Sequence, residues 1–340
     1  MADQHAPEDF PSLLPKRLIA PDKHAGLDAM SAFMASTRAI ADDAKMPPHL
    51  KDAQLTALEG AMTTQEGYVP LPRGVSPTVM SPGFTLRRES DERRIPVIYG
   101  RRVAQAYKQD VAKPNKVYRD WSDLLAYFRY AAGASAMYTL EVLGLDRSLA
   151  PAIEALALAH ALMSRMESLG ADLARNRTYL PQRWLQDAGL DVEELSPDDT
   201  AHDAAKWLKV RDEGVAQVRK LLTQGKPAIK AARFATAPAA GAASATGPAS
   251  GPAARGSSAD GYLAGPGNIE GRAHSGADLT AAGPAATGGM DRWKLKLALA
   301  WVKAGLDARC DALAAAPTFP AAPTTPSRTR LALATLRSLI

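Results

Sequence analysis

The chain has 340 residues, a formal charge of +5, 46% hydrophobic and 23% charged residues, and one cysteine, Cys310. That length allows one large domain or two small ones, and the apolar fraction supplies a sizeable core. The mild positive excess gives no argument for nucleic acid, a lone cysteine excludes an intrachain disulfide, and no run reaches the ~18–20 apolar residues of a spanning helix.

Alanine and leucine dominate while β-branched residues are sparse, which predicts a mostly helical protein. The opening "MADQHAPEDFPSLLP" is acidic, contains proline and lacks an apolar h-region. It therefore reads as no signal peptide, and the expectation is a cytoplasmic protein. Leu27, Met30, Met34 and Ala41 fall near helical spacing, with Phe33 and Ile40 widening the stripe. The paired prolines of "KMPPHL" end that helix and start a second through "LKDAQLTALEGAM". Residues 67–100 read as irregular and carry the pairs Arg87-Arg88 and Arg93-Arg94, with Arg101-Arg102 just beyond. Such pairs suit either anionic phosphate or a solvated loop.

A long helix is expected over "DWSDLLAYFRYAAGASAMYTLEVLGL", capped by Asp120 or Ser122 and stopped near Gly144. Further helices are expected from Pro151 to about Leu169 and from about Ala201 to Leu222. Residues 236–289 are Ala/Gly/Pro/Ser-rich with little to bury, so a disordered insert is expected there. Helical character returns in "DRWKLKLALAWVKAGLDARCDALAAA" and, after a Pro-rich loop, in "SRTRLALATLRSLI". This divides the chain into a helical core (1–235), the insert (236–289), and C-terminal helices (290–340) that complete the core. His160, within "LALAHALM", reads as a buried core histidine, and Cys310 as inert.

The stretch "GADLARNRTYLP" places one acid, Asp172, before Arg175, Arg177 and Tyr179. Solvated charges at a helix end would explain it, and so would an anion site. Several segments in order decide what to compare it with. "SLLPKRL", "AFMASTRAIADDAKMPPHLKDAQLTALEGAM", "AYKQDVAKPNKVYRDWSDLLAYFRYAAGASAM" and "ADLARNRTYLPQRWLQDAGLDVEEL" together resemble the squalene/phytoene synthase family. The Arg-x-Tyr-Leu-Pro tail is the most specific piece, and the resemblance covers residues 12 to about 235.

The resemblance implies an all-α, isoprenoid synthase-type bundle around a central cavity. It also implies head-to-head joining or rearrangement of prenyl diphosphates. Two facing helices of that family carry carboxylates at i and i+4, on one helix face, and hold Mg2+ against diphosphate. Here Arg38 and Ala39 stand where the leading acids of the first motif belong, with Asp42 at the trailing one. A one-residue gap would make Asp42-Asp43 the leading pair, but Met46 then falls at the third acid. In the second motif Ser168 takes the leading place and Asp172 alone remains.

About half the ligand set is thus missing, which predicts Mg2+ binding that is weak or lost. Asp42, Asp43 and Asp172 are the metal candidates. Arg38, Arg175 and Arg177 are the diphosphate candidates, because guanidinium binds phosphate bidentately. Tyr179 and Asp110 are the catalytic candidates. Arg38 and Asp42, one turn apart, also read as a simple intrahelical ion pair.

Two functions follow. One is a prenyltransferase feeding squalene, hopanoid or carotenoid synthesis. The other is an inactive relative that binds a prenyl lipid or a protein partner, as assembly factors of the respiratory chain resemble this fold with its acids gone. Expected partners are prenyl diphosphate or a prenyl lipid, with room for a protein partner and peripheral membrane contact.

Overall fold

The computed structural model describes residues 8–63, 71, 75–112, 118–175, 177–191, 195, 203–230, 292–319 and 335. They belong to one compact unit formed by residues 1–235 and 285–340. The expectations for 236–289 and for all but one residue of the last helix lie outside the described residues.

The first helix, α1 (Pro21–Asp42), starts at a proline after extended Ala20. Proline suits this place because its missing N–H would be unpaired there anyway. Its buried stripe includes Leu27, Met30, Phe33, Met34 and Ile40. The helix stops where Asp43 turns extended, and α2 (Pro48–Ala61) begins after Pro47.

Residues 75–100 do not form the irregular stretch that the sequence suggests, while 67–70 and 72–74 lie outside the described residues. Residues 75–100 hold α3 (Ser81–Arg93), and α4 (Ile98–Ala112) begins within them. Polar composition concealed α3, since its buried face carries Glu89 and Ser90 beside Gly83 and Leu86. Glu89 is paired with Arg93, Arg87 with Asp91, and Arg101 with Glu59. These arginines therefore lie on helices rather than in a loop. Gly83 lets α3 approach α2, since a Cβ there would stand 2.7 Å from the Leu58 carbonyl oxygen.

The expected long central helix forms and runs without a break from Trp121 to Leu143, with a π-helical segment inside it. α5 (Trp121–Phe128) is capped by Asp120, whose carboxylate accepts from the Asp123 N–H at 3.1 Å. A π-helical segment follows at Arg129–Gly133, then α6 (Ala134–Leu143), which ends in left-handed Gly144. An inserted π turn shifts the helix face, and no periodicity argument exposes it.

α7 (Ala150–Glu167) buries residues on nearly every side. Ser168 breaks it from the short α8 (Leu169–Leu173), and α9 (Gln182–Ala188) follows. Against α7 lies α10 (Ala204–Lys230), closely enough that a Cβ on Gly225 would fall 2.5 Å from Leu156. α11 (Arg292–Ala314) packs on α10 and α7. His160 is buried, with Nδ1 3.3 Å from both Ser164 Oγ and Arg309 Nη1. Among the described residues there is no strand, only an isolated bridge between Tyr118 and Pro181.

A carboxylate–guanidinium centre between the two motif ends

The C-terminal turn of α1 and the chain leaving α8 meet. α1 contributes Arg38 and Asp42, four residues apart, with Arg38 Nε donating to Asp42 Oδ2 at 3.2 Å. Beyond α8, the Asp172 carbonyl accepts the N–H groups of Arg175 and Arg177 at 3.0 and 2.9 Å. That tight turn brings both arginines back to α1. Arg177 Nη1 donates to Asp42 Oδ1 at 2.9 Å, and Nη2 to the Ala41 carbonyl at 3.2 Å. Lys51 of α2 donates to the same carbonyl at 2.9 Å.

Arg175 joins the two acids. Its Nη1 lies 3.4 Å from Asp42 Oδ2 and 3.5 Å from Asp172 Oδ1. Asp172 is buried and also accepts from Ser168 Oγ at 2.9 Å. Asp43 does not join them; it accepts from the Lys45 N–H at 2.8 Å in the turn after α1.

A deeper layer holds residues the sequence did not single out. Arg165 on α7 and Glu8, in the segment before α1, form a buried pair with Nη2–Oε1 at 2.7 Å and Nε–Oε1 at 2.8 Å. Arg165 also lies 3.6 Å from Asp172 and stands 3.5 Å over the Tyr179 ring. Tyr107 donates to the second Glu8 oxygen at 2.9 Å. Asp110 accepts from Tyr127 at 2.7 Å and from Tyr179 at 3.1 Å. The signal for Arg165 is a cation inside the largely apolar "AIEALALAHALMSRME". Glu8 gave none, because its partner is 157 residues away.

The electrostatics follow from this packing. Burial alone would raise the Asp42 carboxyl, but Arg165, Arg38, Arg175 and Arg177 together hold it below its usual range. Burial, helped by Asp110, pushes the Tyr179 hydroxyl well up against the opposing pull of Arg165 and Arg177. Tyr127 is likewise raised, by burial first and then by Asp110. Both phenols are therefore neutral donors at physiological pH and not bases.

Magnesium does not suit this donor set. A divalent ion gains about 8 kcal/mol from a carboxylate at ~4 Å and an effective dielectric near 20, and loses as much to an arginine at that distance. Asp42 has three guanidinium groups in contact, and Asp172 has two. The arginines thus cancel the attraction that the acids would supply. Among the described residues, no group of three or more His, Cys, Asp or Glu could hold a metal. Arg38, Arg175 and Arg177 sit at the outer rim with side chains 22%, 40% and 12% exposed. An incoming anion could reach them there, in competition with Asp42.

This helix order defines an all-α, isoprenoid synthase-type bundle. A crystal structure of a dehydrosqualene synthase in complex with ligand superposes with a TM-score of 0.54 at 12% identity, covering 96% of this chain and 88% of that one. The squalene/phytoene synthase family profile matches residues 12–263, and the chain belongs to that family. It is 27% identical over 192 residues to a hydroxysqualene synthase of Sinorhizobium fredii, a match covering 56% of this chain and 61% of that protein. A hydroxysqualene synthase of Rhodopseudomonas palustris is 31% identical over 144 residues, covering 42% and 47%. The matches span roughly half to three-fifths of these curated relatives.

Proposed function

We propose that this chain acts in isoprenoid metabolism by binding a prenyl diphosphate on guanidinium groups without Mg2+, and that it does not ionise that ligand. Arg175, lying between Asp42 and Asp172, carries the reading. A tethered cation stands between the two acids on which the family resemblance would place metal. Arg38, Arg175 and Arg177 would take the diphosphate through charge-assisted, bidentate hydrogen bonds. Departure of diphosphate needs far more charge neutralisation than binding it, and family enzymes draw that from clustered Mg2+. Tyr179 and Asp110 support the walls of the centre through their mutual hydrogen bond, and as a neutral phenol Tyr179 cannot serve as a base.

The test is pyrophosphate release and ligand binding with farnesyl and geranylgeranyl diphosphate, with Mg2+ and with chelator. The expected result is binding that ignores Mg2+ and no release. Metal-dependent release would overturn the proposal and restore a prenyltransferase.

The second reading is a bundle that binds no diphosphate and is kept as a binding or assembly module for another protein, its interior held by the buried Glu8–Arg165 pair. Failure of either diphosphate to bind at all would select it.

A further inference from the structure

Away from the centre, a cavity of about 300 Å3 is lined by Lys16, Arg17 and Lys294 at its charged side and by Leu18, Ile19 and Pro21 at its apolar side. Its position follows from the packing of α11 on the short 3-10 turn Lys16–Leu18 that precedes α1. Asp28 pairs with Lys16 at 2.7 Å, and the Arg17 guanidinium lies 5.6 Å from the Trp301 ring centre. His24 directs Nε2 at the Lys16 and Ile19 carbonyls, 3.0 and 3.1 Å away, which makes that nitrogen a donor and fixes the wall.

Beside this cavity the first turn of α11 reads Arg292-Trp293-Lys294, and the Trp293 side chain is 59% exposed. A single exposed apolar side chain is ordinary on a protein surface, so Trp293 counts here only through the cations beside it. Indole and phenol rings are enriched at the lipid–water boundary, where they sit at headgroup depth and cations beside them meet phosphate. The cavity volume lies at the low end of small-ligand sites and suits a headgroup more than a buried chain. No described helix is long and apolar enough to cross a membrane, so attachment here would be peripheral.

We infer that the Lys16–Arg17 turn and the Trp293–Lys294 turn form a docking surface for an anionic phospholipid bilayer, with one lipid phosphate seated in the cavity. Neither signal alone holds a protein on a bilayer, because each cation contributes modestly and one inserted ring does too. Together they give reversible, salt-sensitive attachment.

The full chain would be sedimented with phosphatidylcholine vesicles and with vesicles containing phosphatidylglycerol, at low and at high salt. We expect binding to the anionic vesicles only, reversed by salt. The double variant Arg17→Gln/Lys294→Gln should weaken it on the order of thirtyfold, from the worth of two cations near a charged surface. Trp293→Ala, which also removes the ring 5.6 Å from Lys294 Nζ, should weaken it too, and this exposed site leaves the fold intact if the double variant does not. Equal binding to both vesicles, no binding, or anionic binding unmoved by Trp293→Ala would overturn the inference. So would glycerol 3-phosphate competing the protein off the vesicles at micromolar concentration, which would assign the cavity to a free phosphate ester.

Discussion

Glu8→Gln removes one charge from the deepest pair in the molecule while keeping its shape. The side chains of Arg165 and Glu8 are 2% and 0% exposed, so water screens little of the loss. In the variant, the guanidinium keeps Asp172 at 3.6 Å, the Tyr127 hydroxyl at 3.4 Å and the Tyr179 ring, with a neutral amide oxygen in place of the Glu8 carboxylate. Breaking one half of a buried pair costs about 3–5 kcal/mol, against a typical total stability of about 5–15. Removing the second charge as well should recover much of that. Arg165→Met gives up a cation–π contact worth about 2 kcal/mol when desolvated, so Glu8→Gln/Arg165→Met should sit closer to wild type than Glu8→Gln does. Urea unfolding at neutral pH, followed by far-UV circular dichroism, measures both. With a slope near ~3 kcal/mol per M, the Glu8→Gln midpoint falls by roughly 1–2 M. A single variant costing less than ~1 kcal/mol, or a double variant whose cost is the plain sum of the singles, would refute the argument.

Three further outcomes are expected. Asp42 has a folded pKa below its ordinary value of 3.8, so its ion pairs contribute stability above that value and lose it as pH falls through the lower folded pKa. Asp42→Asn should therefore be less stable than wild type at neutral pH, with the gap narrowing as pH falls below 3.8, as read from thermal melts. Restoring acids with Arg38→Asp and Ser168→Asp should raise Mg2+ affinity in calorimetry, and no change would count against aligning these positions with the metal motifs. Burial pushes the Cys310 thiol up to about 11, with Arg219 pulling the other way. At pH ~8 only about a thousandth is thiolate, so Cys310 should resist alkylation until the protein unfolds; prompt labelling of native protein would contradict its burial.

Much of this architecture is legible in the sequence because apolar periodicity survives in α1, α7 and α10. It fails at α3, where the buried face is partly Glu89 and Ser90, and at Arg129–Gly133, where an inserted turn leaves composition unchanged. Among the candidate residues, Asp42, Asp172, Arg175 and Arg177 are brought together, since each lies at a helix end that the motif order already pairs. Asp110 and Tyr179 also meet, at 3.1 Å. Asp43 points elsewhere because α1 ends one residue before it. Glu8 and Arg165 escaped notice for a different reason. A buried ion pair is a property of two distant positions at once, and Glu8 alone looks like a solvated charge, so the cation in the apolar run of α7 had no visible partner.

The bridging role of Arg175 has a consequence for how the bundle assembles. Where a free ion clasps two helix ends, the clasp depends on the supply of that ion and can be stripped away by a chelator. Here the fastener is part of the chain and arrives with it. On the proposed metal-free reading, closure of α1 against the segment leaving α8 follows from the chain's own Arg175 and not from the divalent-ion content of the surroundings.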